Sequence, residues 1–243
     1  MSTPTVVFLH GVGLDHSVWE PVTELLAGSV RVVAPDLPGH GSREPVGADV
    51  TLASLADGVA DDIGEGSHLV GFSLGALVAQ YLAIHRPGLV ASLTSVSSVC
   101  RRTAEERSAV LDRLQAAESD FDASISASLR RWYEGTDVDA ARVQQTRATL
   151  TANDPRSFVN CYRVFATADA EIADQLGNIS APALAITGEC DPGSTPEMTR
   201  RLAASIPNCE TVVIPGARHM LPVERPHEVV HALSTFVGRY AHV

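Results

Sequence analysis

Basic side chains are scarce in this chain: 18 Lys and Arg stand against 29 Asp and Glu over 243 residues, a formal net charge of −11. That deficit argues against a nucleic-acid partner, because phosphate binding needs clustered Lys and Arg. Long hydrophobic runs are missing as well. No uninterrupted apolar stretch approaches the roughly 20 residues that a membrane span requires, so no membrane association is expected. The opening Met1-Ser2-Thr3-Pro4-Thr5 has no basic segment ahead of the first apolar run, so no secretory signal is read and the cytoplasm is the expected compartment. Cysteine is sparse too. Cys100, Cys161, Cys190 and Cys209 show no CxxC spacing and form no metal-ligand pattern with the nine histidines. Unpaired thiols in a reducing compartment, and no bound metal, are the expectation. Repeats and low-complexity tracts are also lacking.

What is present is a chain of ordinary globular composition, 45% hydrophobic and 19% charged, long enough to bury a substantial core. Short β-branched runs alternate with longer helix-like stretches, which predicts an α/β fold on a mostly parallel sheet flanked by helices. The strand-like runs cover residues 6–9, 30–34, 68–70, 89–99, 183–187 and 211–214. Apolar residues at helical spacing predict a helix over 51–63, and further helices are read over 74–85, ended by Pro87, and over 226–240. Between Cys100 and Asn178 the strand pattern disappears. There Leu111, Leu114 and Ala117, then Ile125 and Leu129, recur as on amphipathic helices. The expected organisation is a sheet core of residues 1–99 and 179–243 interrupted by a helical segment over 100–178.

Between the strand at 68–70 and the helix at 74–85 lies Gly71-Phe72-Ser73-Leu74-Gly75, a Gly-x-Ser-x-Gly sequence. A strand that turns so sharply into a helix strains its central residue, and glycines two positions either side prevent strand and helix from colliding. The turn lifts the Ser73 hydroxyl above the sheet edge at a helix N-terminus, whose dipole favours developing negative charge.

Around this turn, Phe8-Leu9-His10-Gly11-Val12-Gly13, Asp15 through Trp19 and Asp36-Leu37-Pro38-Gly39-His40-Gly41-Ser42 precede it, while Thr187-Gly188-Glu189-Cys190-Asp191-Pro192 and Gly216-Ala217-Arg218-His219 follow. Through these segments the chain resembles the α/β-hydrolase superfamily over essentially its whole length. Within it, Arg131-Trp132-Tyr133 and Asp174-Gln175-Leu176 make it most similar to the 3-oxoadipate enol-lactonase group and its small carboxylesterase relatives. The resemblance implies a helical cap inserted after the sixth strand and a catalytic triad in the chain order Ser, Asp, His. Asp191 and His219 each follow an apolar strand at its C-terminal end, and no other histidine downstream of Asp191 is comparably placed.

A serine hydroxyl is a poor nucleophile until a base takes its proton; His219 would do so and Asp191 would fix its tautomer. The backbone N–H groups of Val12 and Leu74 are expected to form the oxyanion hole. No cofactor is implied. His10 and His40 are read as braces for loops near the site, and Trp19 as packing the loop after Val12 onto the core. His16, His68, His85, His227, His231 and His242 are read as exposed or loop residues.

No Gly-x-Gly-x-x-Gly opens a helix after the first strand, which sets a dinucleotide fold aside. A serine at the turn also excludes the branches whose nucleophile is aspartate. The expected activity is hydrolysis of a small carboxylic ester or lactone through an acyl-enzyme. Three alternatives stay open: cleavage of carbon–carbon or amide bonds in small dicarboxylic metabolites, cofactor-free haloperoxidase or acyltransferase chemistry, and a non-enzymatic receptor-like module. Enol-lactonase relatives handle small carboxylated ligands, and a carboxylate would want an arginine in the helical segment: Arg130, Arg131 or Arg163. Trp132 and Tyr133 are expected either to pack that segment or to wall the substrate. The partner is a small molecule, and the chain a monomer or homodimer.

Overall fold

The structure, a computed structural model, describes residues 3–240; Met1, Ser2 and the last three residues, His242 among them, lie outside the described residues. Six strands form one parallel sheet: β1 (Thr5–Leu9), β2 (Arg31–Val33), β3 (Ser67–Phe72), β4 (Val90–Val96), β5 (Ala183–Gly188) and β6 (Cys209–Ile214). Their spatial order is β2-β1-β3-β4-β5-β6. The interior strands β3 and β5 are buried at every position. Apolar, β-branched runs without alternation suit strands covered on both faces. Helix α1 (Glu20–Leu25) packs with the helix Pro226–Tyr240, and α2 (Leu52–Ala60) with α3 (Leu74–His85). The strand order reverses at β1, whose two neighbours are β2 and β3. A crevice opens at such a point beyond the C-terminal strand ends, and the motifs converge there.

Four helices fill the stretch between β4 and β5: α4 (Ala104–Ser119), α5 (Phe121–Tyr133), α6 (Ala140–Thr151) and α7 (Pro155–Ile172). Each starts where a side-chain oxygen accepts from a first-turn N–H: Thr103, Asp120, Asp139 and Asp154 in order. The insertion follows the fourth strand of six and not a sixth strand. Only four strands precede it along the described chain. β4 is also shorter than the expected 89–99, because Ser97 takes a positive φ of 47° that no strand continues through. On α4 the inward stripe is Val110, Leu114 and Ala117, whereas Leu111 is exposed.

The helical segment is fastened at its start. Arg102, just past β4, buries its guanidinium against Asp169 of α7 at 2.7 Å and donates to the Phe165 and Ala166 carbonyls. Its own backbone N–H reaches the other Asp169 oxygen at 2.9 Å. Both side chains are almost wholly removed from solvent. Beneath the sheet crevice, Trp19 is fully buried with its ring 5.0 Å from Phe8 and 6.2 Å from Phe72. It packs the segment after Val12 onto the core, as expected. His68 departs from expectation: it lies in β3, buried, with Nδ1 2.8 Å from the Ser92 hydroxyl. The strand-like run over 68–70 already contained it; the exposed reading fails because β3 is covered on both faces and the Ser92 hydroxyl satisfies the ring. His16, His85, His227 and His231 are exposed.

Candidate active site

β3 becomes α3 at Ser73, whose φ of 55° and ψ of −112° lie where side-chain-bearing residues are strained. Both neighbouring glycines are obligatory. A Cβ on Gly71 would collide with the Gly75 backbone, and one on Gly75 with the Leu9 and His10 carbonyls. The β1 loop comes equally near, since a Cβ on Gly11 would sit 3.3 Å from Ser73 Cβ. That loop turns tightly, with the Leu14 N–H donating to the Gly11 carbonyl at 3.2 Å and Gly13 at a φ of 74°. The result brings Val12 to the rim of the pocket that Ser73 opens into. Leu74 is the first residue of α3, so its N–H has no carbonyl one helical turn back to bond.

Asp191 sits in the turn beyond β5. One carboxylate oxygen accepts from the N–H groups of Gly193 and Ser194 at 2.8 and 2.9 Å; the other lies 2.7 Å from His219 Nδ1. The Thr187 hydroxyl donates to the Ser194 carbonyl at 2.6 Å and closes the same turn. His219 follows β6 in a loop held against β5: the Cys190 N–H donates to the Ala217 carbonyl at 2.8 Å, and the Ser97 hydroxyl donates to the His219 carbonyl at 3.0 Å. The imidazole lies between two rings. Phe72 is 5.1 Å away, and Trp132 is 5.7 Å away at an interplanar angle of 22°. Arg218, the residue before it, donates to the Arg131 and Glu134 carbonyls at 3.2 and 2.9 Å, while its N–H donates to the buried Glu224 carboxylate at 2.9 Å. The His219 loop and the end of α5 are thereby joined.

Ser73, Asp191, His219 and Val12 line one pocket with Arg113 of α4, Arg131 and Trp132 of α5, and Tyr162 and Phe165 of α7. Among the described residues neither Arg113 nor Arg131 has a carboxylate within salt-bridge distance, although most other arginines do. Burial holds the Arg131 guanidinium below its ordinary value. Tyr133 turns the other way: buried, its hydroxyl lies 2.8 Å from the Thr146 hydroxyl, so it packs α5 on α6.

Two of the three expected arginines are corrected. Arg130 is exposed, because one helical residue rotates it about 100° away from Arg131. Arg163 is exposed on the outer side of α7, bonded to Glu118 at 3.0 Å and Asn160 at 3.1 Å. The sequence reading missed Arg113. Its signal was a charged residue three positions after Val110 and four before Ala117, on the flank of the inward stripe of α4.

His10 and His40 brace the loops beside the site, their rings 5.1 Å apart. His10 Nδ1 donates to the Gly11 carbonyl at 2.8 Å, and its Nε2 accepts from the Leu37 N–H at 2.9 Å. Desolvation lowers His10 to about 4; desolvation, with His10 alongside, lowers His40 to about 3. Both are therefore neutral spacers at physiological pH. Among the described residues no cluster of His, Cys, Asp or Glu is arranged to hold a metal, and no helix is long and apolar enough to cross a membrane.

A parallel sheet whose third strand turns through a strained serine into a helix, with a helical layer inserted before the fifth strand, is the architecture of an α/β-type hydrolase. The chain belongs to the Alpha/beta hydrolase family, whose profile matches residues 6–232. It is 30% identical over 236 residues to (E)-2-((N-methylformamido)methylene)succinate hydrolase of Acinetobacter baylyi, covering 96% of this chain and 89% of that protein. It is 29% identical over 243 residues to 3-oxoadipate enol-lactonase 1 of the same organism, covering 97% and 89%. The crystal structure of the enol-lactonase from Burkholderia xenovorans LB400 superimposes with a TM-score of 0.86 at 24% identity, over 98% of this chain and 92% of that one.

Proposed function

We propose that this protein is a serine hydrolase that cleaves a small carboxylic ester or lactone bearing a further carboxylate, through an acyl-enzyme. The observation that carries the reading is the meeting in one pocket of the strained Ser73 with a histidine whose Nδ1 is committed to Asp191. With its Nδ1 proton held by Asp191, His219 presents an unprotonated Nε2. As Ser73 Oγ bonds to the carbonyl carbon, Nε2 takes the hydroxyl proton and the carbonyl π pair moves onto oxygen. The Val12 and Leu74 N–H groups receive that oxyanion. His219 then returns the proton to the departing alkoxide as the C–O bond breaks. A water, activated in the same way, releases the acid.

Residues 100–178 act in this reading as a cap that brings Arg113, Arg131 and Trp132 over the nucleophile. Two unpaired guanidiniums in a chain of net charge −11 favour an anionic substrate, because a cation left in a half-dry site is stabilised by a carboxylate. The names of the two relatives above point the same way, since both refer to derivatives of dicarboxylic acids. The succinate-derivative hydrolase also keeps a second reading in play, cleavage at an amide-like or carbon–carbon bond by the same machinery.

A panel of esters and lactones, matched with and without a distal carboxylate, tests the assignment. Carboxylated members should be turned over with the higher kcat/KM, and Ser73→Ala should lose roughly 10³-fold or more while folding normally. A Ser73→Ala enzyme that keeps a tenth of the activity would remove the nucleophile; turnover confined to amide or carbon–carbon substrates would select the second reading.

A further inference from the structure

Among the described residues the chain contains two tryptophans, and they do different work. Trp19 is sealed between Phe8 and Phe72. Trp132 is half-buried and lies nearly parallel to the imidazole of His219, with centroids 5.7 Å apart. We infer that Trp132 is a positioning residue for the base: its indole face holds the His219 ring in plane and stabilises it when it carries the proton taken from Ser73. This role rests on the proposed serine mechanism and adds to it a group that acts through the base and not through the substrate.

A positive ring within about 6 Å of an indole face is attracted by the ring quadrupole, and the attraction grows when water is excluded. In the reaction the imidazolium forms as the Ser73 proton is transferred, so an interaction with that form favours the transition state over the neutral base that precedes it. Other groups around His219 are accounted for element by element. Asp191, from the turn after β5, holds Nδ1 and is the one carboxylate bonded to the ring among the described residues. Arg131 of α5 and Arg113 of α4 face the pocket, and both oppose a positive imidazole. Arg131 also lies 5.8 Å from the Trp132 ring. Tyr162 of α7 adds an uncharged phenol, and Phe72 and Val12 add apolar surface. Arg218 is turned away, onto the carbonyls of Arg131 and Glu134. Those two carbonyls flank Trp132 in the chain, so Arg218 fixes the indole relative to the residue it neighbours. A substrate wall alone would require no such tie to the base loop.

The test begins without substrate. A protonated imidazole stacked on an indole quenches its fluorescence, so emission of the resting enzyme should follow protonation of the ring as pH is lowered. Trp132→Phe, which leaves Trp19 to report, should abolish that titration, and so should His219→Gln. Emission that is flat in the wild-type protein, or that titrates equally in Trp132→Phe, overturns the stack whatever the enzyme's activity proves to be. With a substrate from the panel, Trp132→Leu should lower kcat by about fivefold to thirtyfold. It should also move the acid limb of kcat against pH to lower pH, by about half to one unit. The sign follows from the loss: without the indole the protonated base is less stable, so the unprotonated base persists further into acid. Trp132→Phe should recover part of both effects. A change in KM with an unmoved acid limb would make Trp132 a substrate wall and refute the role. Loss of the Ser73 dependence with the fluorescence titration intact would instead refute the serine mechanism.

Discussion

Asp191→Asn isolates the tautomer on which the mechanism depends. In the native turn one carboxylate oxygen accepts from the Gly193 and Ser194 N–H groups, and the other faces His219 Nδ1 at 2.7 Å. An asparagine keeps its carbonyl oxygen on the two backbone donors, because an amide nitrogen there would leave both N–H groups unbonded. Its NH2 then faces Nδ1 and donates to it. Nδ1 must become the acceptor, the ring proton moves to Nε2, and the nitrogen that should take the Ser73 proton no longer has a free lone pair. Such tautomer reversals in serine hydrolases cost about 10⁴ in kcat, near 5 kcal/mol of barrier. The fold loses little, since the turn retains its two backbone bonds. The assay pairs kcat on a carboxylated ester with a thermal melt. Expected are a 10⁴-fold loss and a Tm within about 5 °C of wild type, whereas Asp191→Ala, which empties the turn as well, should melt distinctly lower. An Asn variant that keeps more than a tenth of the activity would refute the tautomer argument.

Three further expectations follow from other parts of the molecule. Arg113→Gln and Arg131→Gln should each raise KM for carboxylated esters by about tenfold to a hundredfold and leave neutral esters nearly untouched, because a charge-assisted bond contributes about 1.5–3 kcal/mol; equal losses on both substrate types would place the guanidiniums elsewhere in the reaction. Acid should unfold the protein in a defined window: the unfolded chain protonates His10 and His40 near the ordinary value of 6.5, while the folded chain holds them neutral down to about 4 and about 3. Stability is therefore full above about pH 6.5 and falls towards pH 4, with His10 alone accounting for about 3 kcal/mol, and a Tm constant from pH 7 to 4 would contradict their burial as neutral rings. Arg102→Met should strand the buried Asp169 charge, cost about 3–5 kcal/mol and lower Tm by about 10 °C. The double variant Arg102→Met/Asp169→Leu should regain much of it, and a double variant no better than the single one would show that the pair's geometry, not its charge, holds the segment.

The elements that local chemistry decides were legible in the sequence. The helix at Leu74–His85 begins and ends where expected, and the one at Pro226–Tyr240 begins there, because a strained turn or a proline sets those bounds. Gly71, Ser73 and Gly75 declared the strand-to-helix junction, since few other residues tolerate that geometry. Asp191 and His219 could be placed at strand ends by the apolar runs that precede them. The pocket's far wall was less legible. Arg113, Tyr162 and Phe165 come from two helices whose approach to Ser73 is set by tertiary packing, and Arg130 could be separated from Arg131 only once the rotation of α5 was fixed. Ser97, which secures the His219 carbonyl, lies 122 residues away in the chain and carries no local mark of that contact. His68 read as exposed even though its run read as a strand, because a polar side chain in a covered strand is explained only by the partner it finds in β4.

The unpaired arginines of the pocket have a consequence for how acidity governs the enzyme. A guanidinium keeps its proton throughout the range in which enzymes work, whereas an imidazole gives up and regains its own. In the proposed mechanism, capture and turnover would then answer to pH separately: the anion anchor stays on while the base switches off. Wherever the base is protonated, the protein should still take up a carboxylated ligand yet release no product, becoming a reservoir for its substrate. On return to neutrality the retained molecules would turn over together, as a burst whose size counts the loaded sites.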